Sequence, residues 1–381
     1  MSVTNVTQSG GGAAEESRTE SRTNVGELEL SELETLLRTL GAAPFHARQI
    51  YRWVYRRGVT NFEAMTDLSR ALRSRLSATC YVSTPDLVRT EQSVDGTTKF
   101  LLRLADGRDI ESVYIPDTPA QTFCVSTQVG CAMRCAFCLT GKMGLTRHLT
   151  AGEIAGQVRR LAGELGMFAR AFNIVLMGMG EPLHNYDQTM KGLRMLATTQ
   201  GLAVPARRVT LSTVGIVPAI ERLASEPLMP NLAISLHATT EEQRDALVPL
   251  NQRYSLASLV EACKRIPLRR RSRITFEYVL LEGVNDTPAD ARRLGTLVGG
   301  LKAKVNLLPL NEGPGIPFSR PSDERVDAFA RALAARGLTV SVRKSRGRDI
   351  RAACGQLIVE GQRQSPGQRL AILMDRGQDQ G

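Results

Sequence analysis

The spacing of apolar positions changes twice along the chain, and the changes divide it. Residues 1–27 are rich in Ser, Thr, Gly and Glu and carry few apolar side chains, so a disordered tail is expected there. From Leu28 onward apolar residues recur every three or four positions. Leu36, Leu37 and Leu40 follow a Ser31/Glu34 capping pair, and similar patterns cover 46–57 and 67–78. Residues 28–81 therefore read as a small helical domain. Its aromatic cluster, Tyr51, Trp53 and Tyr55, sits among Arg48, Arg52, Arg56 and Arg57, a pattern better explained by core packing beneath solvated arginines than by a nucleic-acid face. Between 82 and 120, Asp95-Gly96 and Asp106-Gly107 separate β-prone runs at 99–104 and 110–115 and predict a β-hairpin connector.

From residue 121 the pattern alternates strand and helix. Strands are expected at 122–129, 173–179, 208–214, 231–237, 274–281 and 305–310, with helices between them, one opening on a Thr150/Glu153 capping box. This is an α/β architecture, a partial (βα)6-type parallel barrel over 121–357. A seventh β-prone run at 338–342 leads into a basic stretch holding Cys354, and 358–381 reads as a C-terminal tail. In such barrels reactive groups sit at the C-terminal ends of the strands. The Gly178-Met179-Gly180-Glu181-Pro182 turn, Ser212-Thr213, Ser235-Leu236-His237 and Asn311 all fall at those ends.

Composition narrows the setting. With 42% apolar residues in 381, a large core is available; 49 Lys and Arg against 38 Asp and Glu give a formal charge of +11, which favours a polyanionic partner such as nucleic acid. The seven cysteines have no disulfide-scaffold spacing, no apolar run reaches bilayer length, and the N-terminus lacks the features of a signal peptide. A reduced, cytoplasmic location without membrane attachment is expected.

Cys131, Cys135 and Cys138 are spaced C-x3-C-x2-C. Thiolates select soft metals and iron-sulfur clusters, and three of them seat a four-iron cluster with one iron left open. That iron can chelate the amino and carboxylate groups of a molecule such as S-adenosylmethionine. Two other readings stand beside this one: a Cys3His zinc site completed by His148, and cysteines buried for packing alone.

The motif at the end of a first barrel strand, followed by a Gly-Glu turn after the second, resembles the radical S-adenosylmethionine superfamily. The segments beginning at Cys124, Met177, Leu211, Ile234, Asn306 and Arg348 resemble the RlmN and Cfr group of RNA adenine methyltransferases, over about residues 28 to 357. Only Leu145 and His148 depart from the pattern after the cysteine motif, where Phe and Asn are expected. The resemblance implies that the helical domain at 28–81 contacts RNA, that a [4Fe-4S] cluster sits on Cys131, Cys135 and Cys138, and that S-adenosylmethionine is held by Gly180, Glu181, Ser212, Ser235, Leu236, His237 and Asn311. It also implies that one S-adenosylmethionine methylates Cys354 and that a second yields a 5'-deoxyadenosyl radical which takes hydrogen from that methyl group. The methylene radical then adds to C2 of adenosine in 23S rRNA, or in a tRNA beside the anticodon. Cys124 would resolve the adduct through a transient disulfide with Cys354, with Glu111 as proton acceptor. The nearest rival is C8 methylation, as in the Cfr branch; the long N-terminal extension and the Gly-Glu-Pro-Leu turn favour C2. A non-catalytic, metal-stabilised RNA-binding protein is the rival from another class. A low-potential electron donor and a monomeric state are further expectations. Cys80 and Cys263 match no functional position and read as core residues.

Overall fold

The computed structural model describes residues 22–116, 120–270 and 272–359. Most of the expected N-terminal tail lies outside the described residues, but its last part is ordered. Thr23–Asn24 (β1) pairs in parallel with Cys80–Tyr81 (β2), and Val25 is buried. The physical reason is Glu27, whose carboxylate accepts from Thr150 Oγ1 at 2.6 Å and from the Gly152 amide at 2.7 Å, at a helix N-terminus where negative charge is favoured.

The helical domain contains Leu30–Thr39 (α1), His46–Arg56 (α2) and Arg70–Thr79 (α3). The cap of α1 differs from expectation. Glu29 rather than Ser31 is the N-cap, and Glu32 closes the box by accepting from the Glu29 amide at 2.7 Å. Glu29 also pairs with Arg194 of the barrel at 2.7 Å, which anchors the cap two residues earlier. Tyr51 and Tyr55 stack 4.9 Å apart in the core, as packing requires. The arginines around them are exposed, as expected, and two of them also tie α2 to the barrel: Arg52 donates to Gln200 Oε1 at 2.8 and 3.0 Å, and Arg56 to the Gly201 carbonyl at 3.0 Å.

The strands that follow are Asp86–Gln92 (β3), Thr98–Arg103 (β4), Asp109–Ile115 (β5), Thr122–Cys124 (β6), Gln128–Gly130 (β7), Leu145–His148 (β8), Asn173–Leu176 (β9), Val209–Thr213 (β10), Asn231–Ser235 (β11), Ile274–Leu280 (β12), Ala303–Pro309 (β13) and Thr339–Val342 (β14). The helices are Leu139–Met143 (α4), Ala151–Glu164 (α5), Tyr186–Ala197 (α6), Val217–Leu223 (α7), Glu241–Leu247 (α8), Leu256–Lys264 (α9), Pro288–Val298 (α10) and Asp323–Ala334 (α11). Thr150 and Glu153 form the expected capping box of α5.

One ten-stranded sheet carries the molecule, ordered β14-β13-β12-β11-β10-β9-β6-β5-β4-β3. From β6 to β14 every pairing is parallel, and the strand expected at 338–342 extends the barrel as β14. The connector is not a separate hairpin: β3, β4 and β5 continue the sheet in antiparallel fashion across β6. The strand expected at 122–129 splits at Val125, where β7 leaves the sheet to pair with β8 and carry the cysteine loop. The C-terminal tail begins later than expected. Val359 is buried and the Ile358 amide donates to Glu111 Oε2 at 2.9 Å, because the chain after Cys354 supplies backbone donors to a buried carboxylate; residues 360–381 lie outside the described residues.

Candidate active site

The cysteine loop is closed by backbone contacts that only certain residues permit. The Cys131 amide donates to the Gly144 carbonyl at 2.9 Å. Gly130, at φ 78°, makes this approach possible, since a Cβ there would lie 1.8 Å from the Gly144 oxygen. The Ala136 amide donates to the Leu247 carbonyl of α8 at 3.0 Å, which holds the loop against the ends of the parallel strands. Cys131 and Cys135 are buried and Cys138 half-buried. Burial pushes all three thiols up, Cys131 to about 12.

These thiols line a cavity open to solvent, shared with Gly180, Glu181, Ser212, Ser235, His237 and Asn311. Gly180, at φ 106°, lets the turn after β9 pass Gln128, whose Cβ would be 2.6 Å from a Gly180 Cβ. Glu181 Oε1 and Oε2 accept from the Leu183 and Val214 amides at 3.0 and 2.9 Å, and burial raises its pKa to about 7. Ser212 and Ser235 hydroxyls stand 3.3 Å apart. His237 accepts from the Val279 amide at Nδ1, 3.0 Å away, which places its proton on Nε2; burial, then Arg244, lowers its pKa to about 3, so it is a neutral donor. Leu236 is brought to the strand end but not into the cavity: its side chain is buried and its amide and carbonyl bind Glu277 O and Arg244 Nε.

Cys354 reaches the same place from the far end of the chain. Asn311 Nδ2 donates to the Cys354 carbonyl at 3.3 Å, the Leu139 amide to the Gly355 carbonyl at 2.8 Å, and Thr140 Oγ1 to the Leu357 carbonyl at 2.7 Å. A smaller adjoining cavity is lined by Cys124 and Cys354 together with Ile115, Met177, Asn311 and Arg343. Burial first, then Cys354, pushes the Cys124 thiol up to about 12. Glu111 lies beneath this region but lines neither cavity; its carboxylate binds Lys99 Nζ at 3.1 Å and the Ile358 amide.

Two residues in the large cavity were not singled out from the sequence. Glu277 interrupts the apolar run of β12, and a carboxylate in such a run is the signal that could have found it; burial raises its pKa, and it accepts from Asn306 Nδ2 at 2.7 Å. Arg343, one among many arginines in its stretch, lines both cavities, and its pKa is raised, through Cys354 first and then Glu277 and Cys124, against the effect of burial.

The donor set fits a cluster with a chelated small molecule. Three thiols share one loop, and Asn311 Oδ1 is buried without a hydrogen-bond partner at the cavity wall. Cluster thiolates each take a separate iron, which suits three thiols on one loop. His148 is engaged elsewhere, 3.0 Å from Gln128 Nε2 and edge-on to His184. Cys80 and Cys263 are core residues, as expected.

A parallel sheet with a three-cysteine loop beside a small-molecule cavity at its strand ends defines a radical S-adenosylmethionine enzyme, and residues 125–294 match the model of the Radical SAM superfamily. Residues 23–82 match the model described as the ribosomal RNA large subunit methyltransferase N-terminal domain. The dual-specificity RNA methyltransferase RlmN of Anaeromyxobacter sp. (strain Fw109-5) is 50% identical over 350 residues, covering 90% of this chain and 93% of the relative. That of Syntrophobacter fumaroxidans is 48% identical over 336 residues, covering 88% and 98%. A radical SAM methyltransferase from Sphaerobacter thermophilus superposes with a TM-score of 0.84 at 48% identity, over 88% of this chain and 99% of that one. The chain belongs to the RlmN family of radical SAM RNA methyltransferases. Membership implies a [4Fe-4S] cluster and S-adenosylmethionine as its cofactors. Among the described residues no helix is long and apolar enough to cross a membrane.

Proposed function

We propose that the protein methylates C2 of an adenosine in 23S rRNA, and of a tRNA adenosine next to the anticodon, through a methyl group carried on Cys354. The observation that carries this reading is that Cys124 and Cys354, 230 residues apart by their numbers, line one small cavity whose Met177, Asn311 and Arg343 also line the cavity of the cysteine loop. When bound on Cys131, Cys135 and Cys138, the cluster with S-adenosylmethionine supplies a methyl group and a hydrogen-abstracting carbon radical.

The chain's own residues do the rest. Cys354 takes the methyl group on its sulfur, the nucleophile of this step, and Arg343 lines the same small cavity. Gly180, Glu181, Ser212, Ser235, Leu236, His237 and Asn311 orient S-adenosylmethionine: the Glu181 carboxylate suits its amino group, the neutral His237 Nε2–H and the Asn311 amide its polar edges. Leu236 contributes by fixing the backbone between Ser235 and His237. Glu111 takes the C2 proton once the base is bonded to Cys354, and the adduct radical gives up its extra electron to the redox cofactor that the three cysteines would hold. Cys124, as a thiolate, then attacks the Cys354 sulfur: the S–S bond forms, the Cys354 S–CH2 bond breaks, and the methylene carbon keeps that electron pair and takes a proton to become the C2 methyl group, leaving a disulfide that reduction must reopen. An adenine inside folded RNA has to be flipped out to reach Cys354, and the charge of +11 favours the RNA backbone.

Anaerobic reconstitution, followed by reaction with reductant, S-adenosylmethionine and unmodified 23S RNA, tests this by nucleoside mass spectrometry. The expected products are 2-methyladenosine and 5'-deoxyadenosine. In Cys124→Ala an RNA-protein cross-link accumulates, and in Cys354→Ala neither product nor cross-link forms. Finding 8-methyladenosine instead would reassign the position of attack, and an uncross-linked, fully active Cys124→Ala would remove the resolving role.

A further inference from the structure

Across the antiparallel part of the sheet, β3, β4, β5 and β6 are in register so that Glu91, Lys99, Val113 and Cys124 stand opposite one another in one row. Residues in such a row share a face of the sheet, and Glu111, two positions before Val113 on β5, shares it too. The row runs from the cavity of Cys124 and Cys354 to the edge strand β3.

Lys99 Nζ lies 3.1 Å from Glu111 Oε1 and 3.5 Å from Glu91 Oε2. Side-chain exposure rises in the same order, 3% at Glu111, 8% at Lys99 and 29% at Glu91. A buried ammonium is costly, yet it touches two carboxylates of unequal access to water. The other polar contact of the Glu111 carboxylate is the Ile358 amide, which cannot carry a proton away. Burial raises the Glu111 pKa, with Lys99 opposing it, so a proton placed there is retained unless it has a route out. Beyond Lys99 the charged groups are Glu91 and its partner Arg89, 2.7 Å away.

We propose that Lys99 and Glu91 form the exit path for the proton taken up at Glu111 in each catalytic cycle. This rests on the proton-accepting role of Glu111 proposed above. The acquired proton bonds to Glu111 Oε1. Lys99 passes one N–H proton to Glu91 Oε2 and takes the proton from Glu111, so Lys99 ends as ammonium, Glu111 as carboxylate, and Glu91 releases its proton to water. No electron moves. Lys99 acts through Glu111 and is a positioning residue rather than a catalytic one.

Three variants of the full, reconstituted chain separate the relay from a structural ion pair. Lys99→Arg keeps the positive charge but not the ability to give up a proton. Glu91→Gln keeps Lys99 and changes a solvent-facing group on an edge strand, where folding is least at risk. In Glu91→Gln the first turnover keeps the unsubstituted rate, and in both variants later turnovers slow by at least ~10-fold relative to the variant's own first turnover, giving a burst of product. Lys99→Met also moves the acid limb of the first-turnover pH profile upward by about one unit or more, because the cation that keeps Glu111 ionised is gone. Steady-state rates of Lys99→Arg and Glu91→Gln equal to that of the unsubstituted chain, with no burst, would overturn the relay alone. Absence of any methyladenosine from the unsubstituted chain would overturn the proposed function, and the relay with it.

Discussion

Arg244 on α8 is fully buried, and its guanidinium ties together the ends of two barrel strands. It donates to the Val214 carbonyl at 2.6 Å, to Leu236 O at 3.2 Å, to Asn251 Oδ1 at 3.1 Å and, more weakly, to Ser235 O at 3.4 Å. Val214 is thus held from both sides, since its amide donates to Glu181. Arg244→Met keeps much of the volume but orphans these buried acceptors at roughly 1–3 kcal/mol each. The desolvation cost of the guanidinium, which burial already expresses as a pKa lowered to about 10, is recovered and offsets part of the loss. A net loss of about 3 kcal/mol remains, or about 6 °C in Tm at roughly 2 °C per kcal/mol for a chain of this size. Thermal and urea melts of the cluster-free chain read this directly, and equilibrium dialysis of S-adenosylmethionine against the reconstituted chain reads the loosened strand ends as weaker binding. A Tm within about one degree of the parent, with unchanged S-adenosylmethionine affinity, would refute the view that this side chain fixes the site.

Glu181 gives a pH prediction. Its pKa is raised by burial from 4.5 to about 7, so the folded cluster-free chain holds a proton that the unfolded chain releases. The associated stability is present below pH 4.5 and is lost as pH rises through about 7, amounting to ~3 kcal/mol by pH 8. Glu181→Gln should flatten that part of the pH-stability curve in urea melts while weakening S-adenosylmethionine binding; an unchanged slope would count against the burial argument. Gly130→Ala places a Cβ 1.8 Å from the Gly144 carbonyl oxygen and forces the cysteine loop open. Iron bound per chain after reconstitution should fall well below that of the parent, and full loading would show that the loop adapts.

The strand-helix alternation after residue 121 was legible because parallel strands are buried on both faces and leave long apolar runs between polar turns. The placement of Gly180, Glu181, Ser212, Ser235, His237 and Asn311 at strand ends followed from that reading together with barrel geometry. What stayed hidden depends on partners distant in sequence. Glu27 and Glu29 look like residues of a polar tail until Gly152, Thr150 and Arg194 are present to receive them. Lys99 and Glu111 alternate with apolar neighbours as exposed residues would, and only the register of β3 to β6 turns them inward together. Arg343 could not be told from neighbouring arginines because its distinction is the cavity it faces. Arg244 has polar neighbours on α8 and reads as a surface arginine, although it is the largest fully buried side chain among the described residues.

The segment that carries Cys354 is irregular, and irregular backbone near a cavity must find its hydrogen bonds elsewhere. It finds them on four sides. The antiparallel turn supplies Asp95 Oδ2, 3.0 Å from the Gly347 amide, and Ser93 Oγ, 2.6 Å from Asp349 Oδ1. The end of the sixth parallel strand supplies Asn311, the helix after the cysteine loop supplies Leu139 and Thr140, and β5 supplies Glu111. Two of these four sides belong to the β3–β5 extension, so the antiparallel strands do more than join two domains: they form the ground against which the Cys354 turn is set. Because Glu111 both grips the Ile358 amide and contacts Lys99, the charge on one buried carboxylate bears on the anchoring of the segment only four residues beyond Cys354. A proton left on Glu111 would weaken that grip as an acceptor, so on the proposed relay its removal through Lys99 would restore both the carboxylate and the anchor of the Cys354 segment.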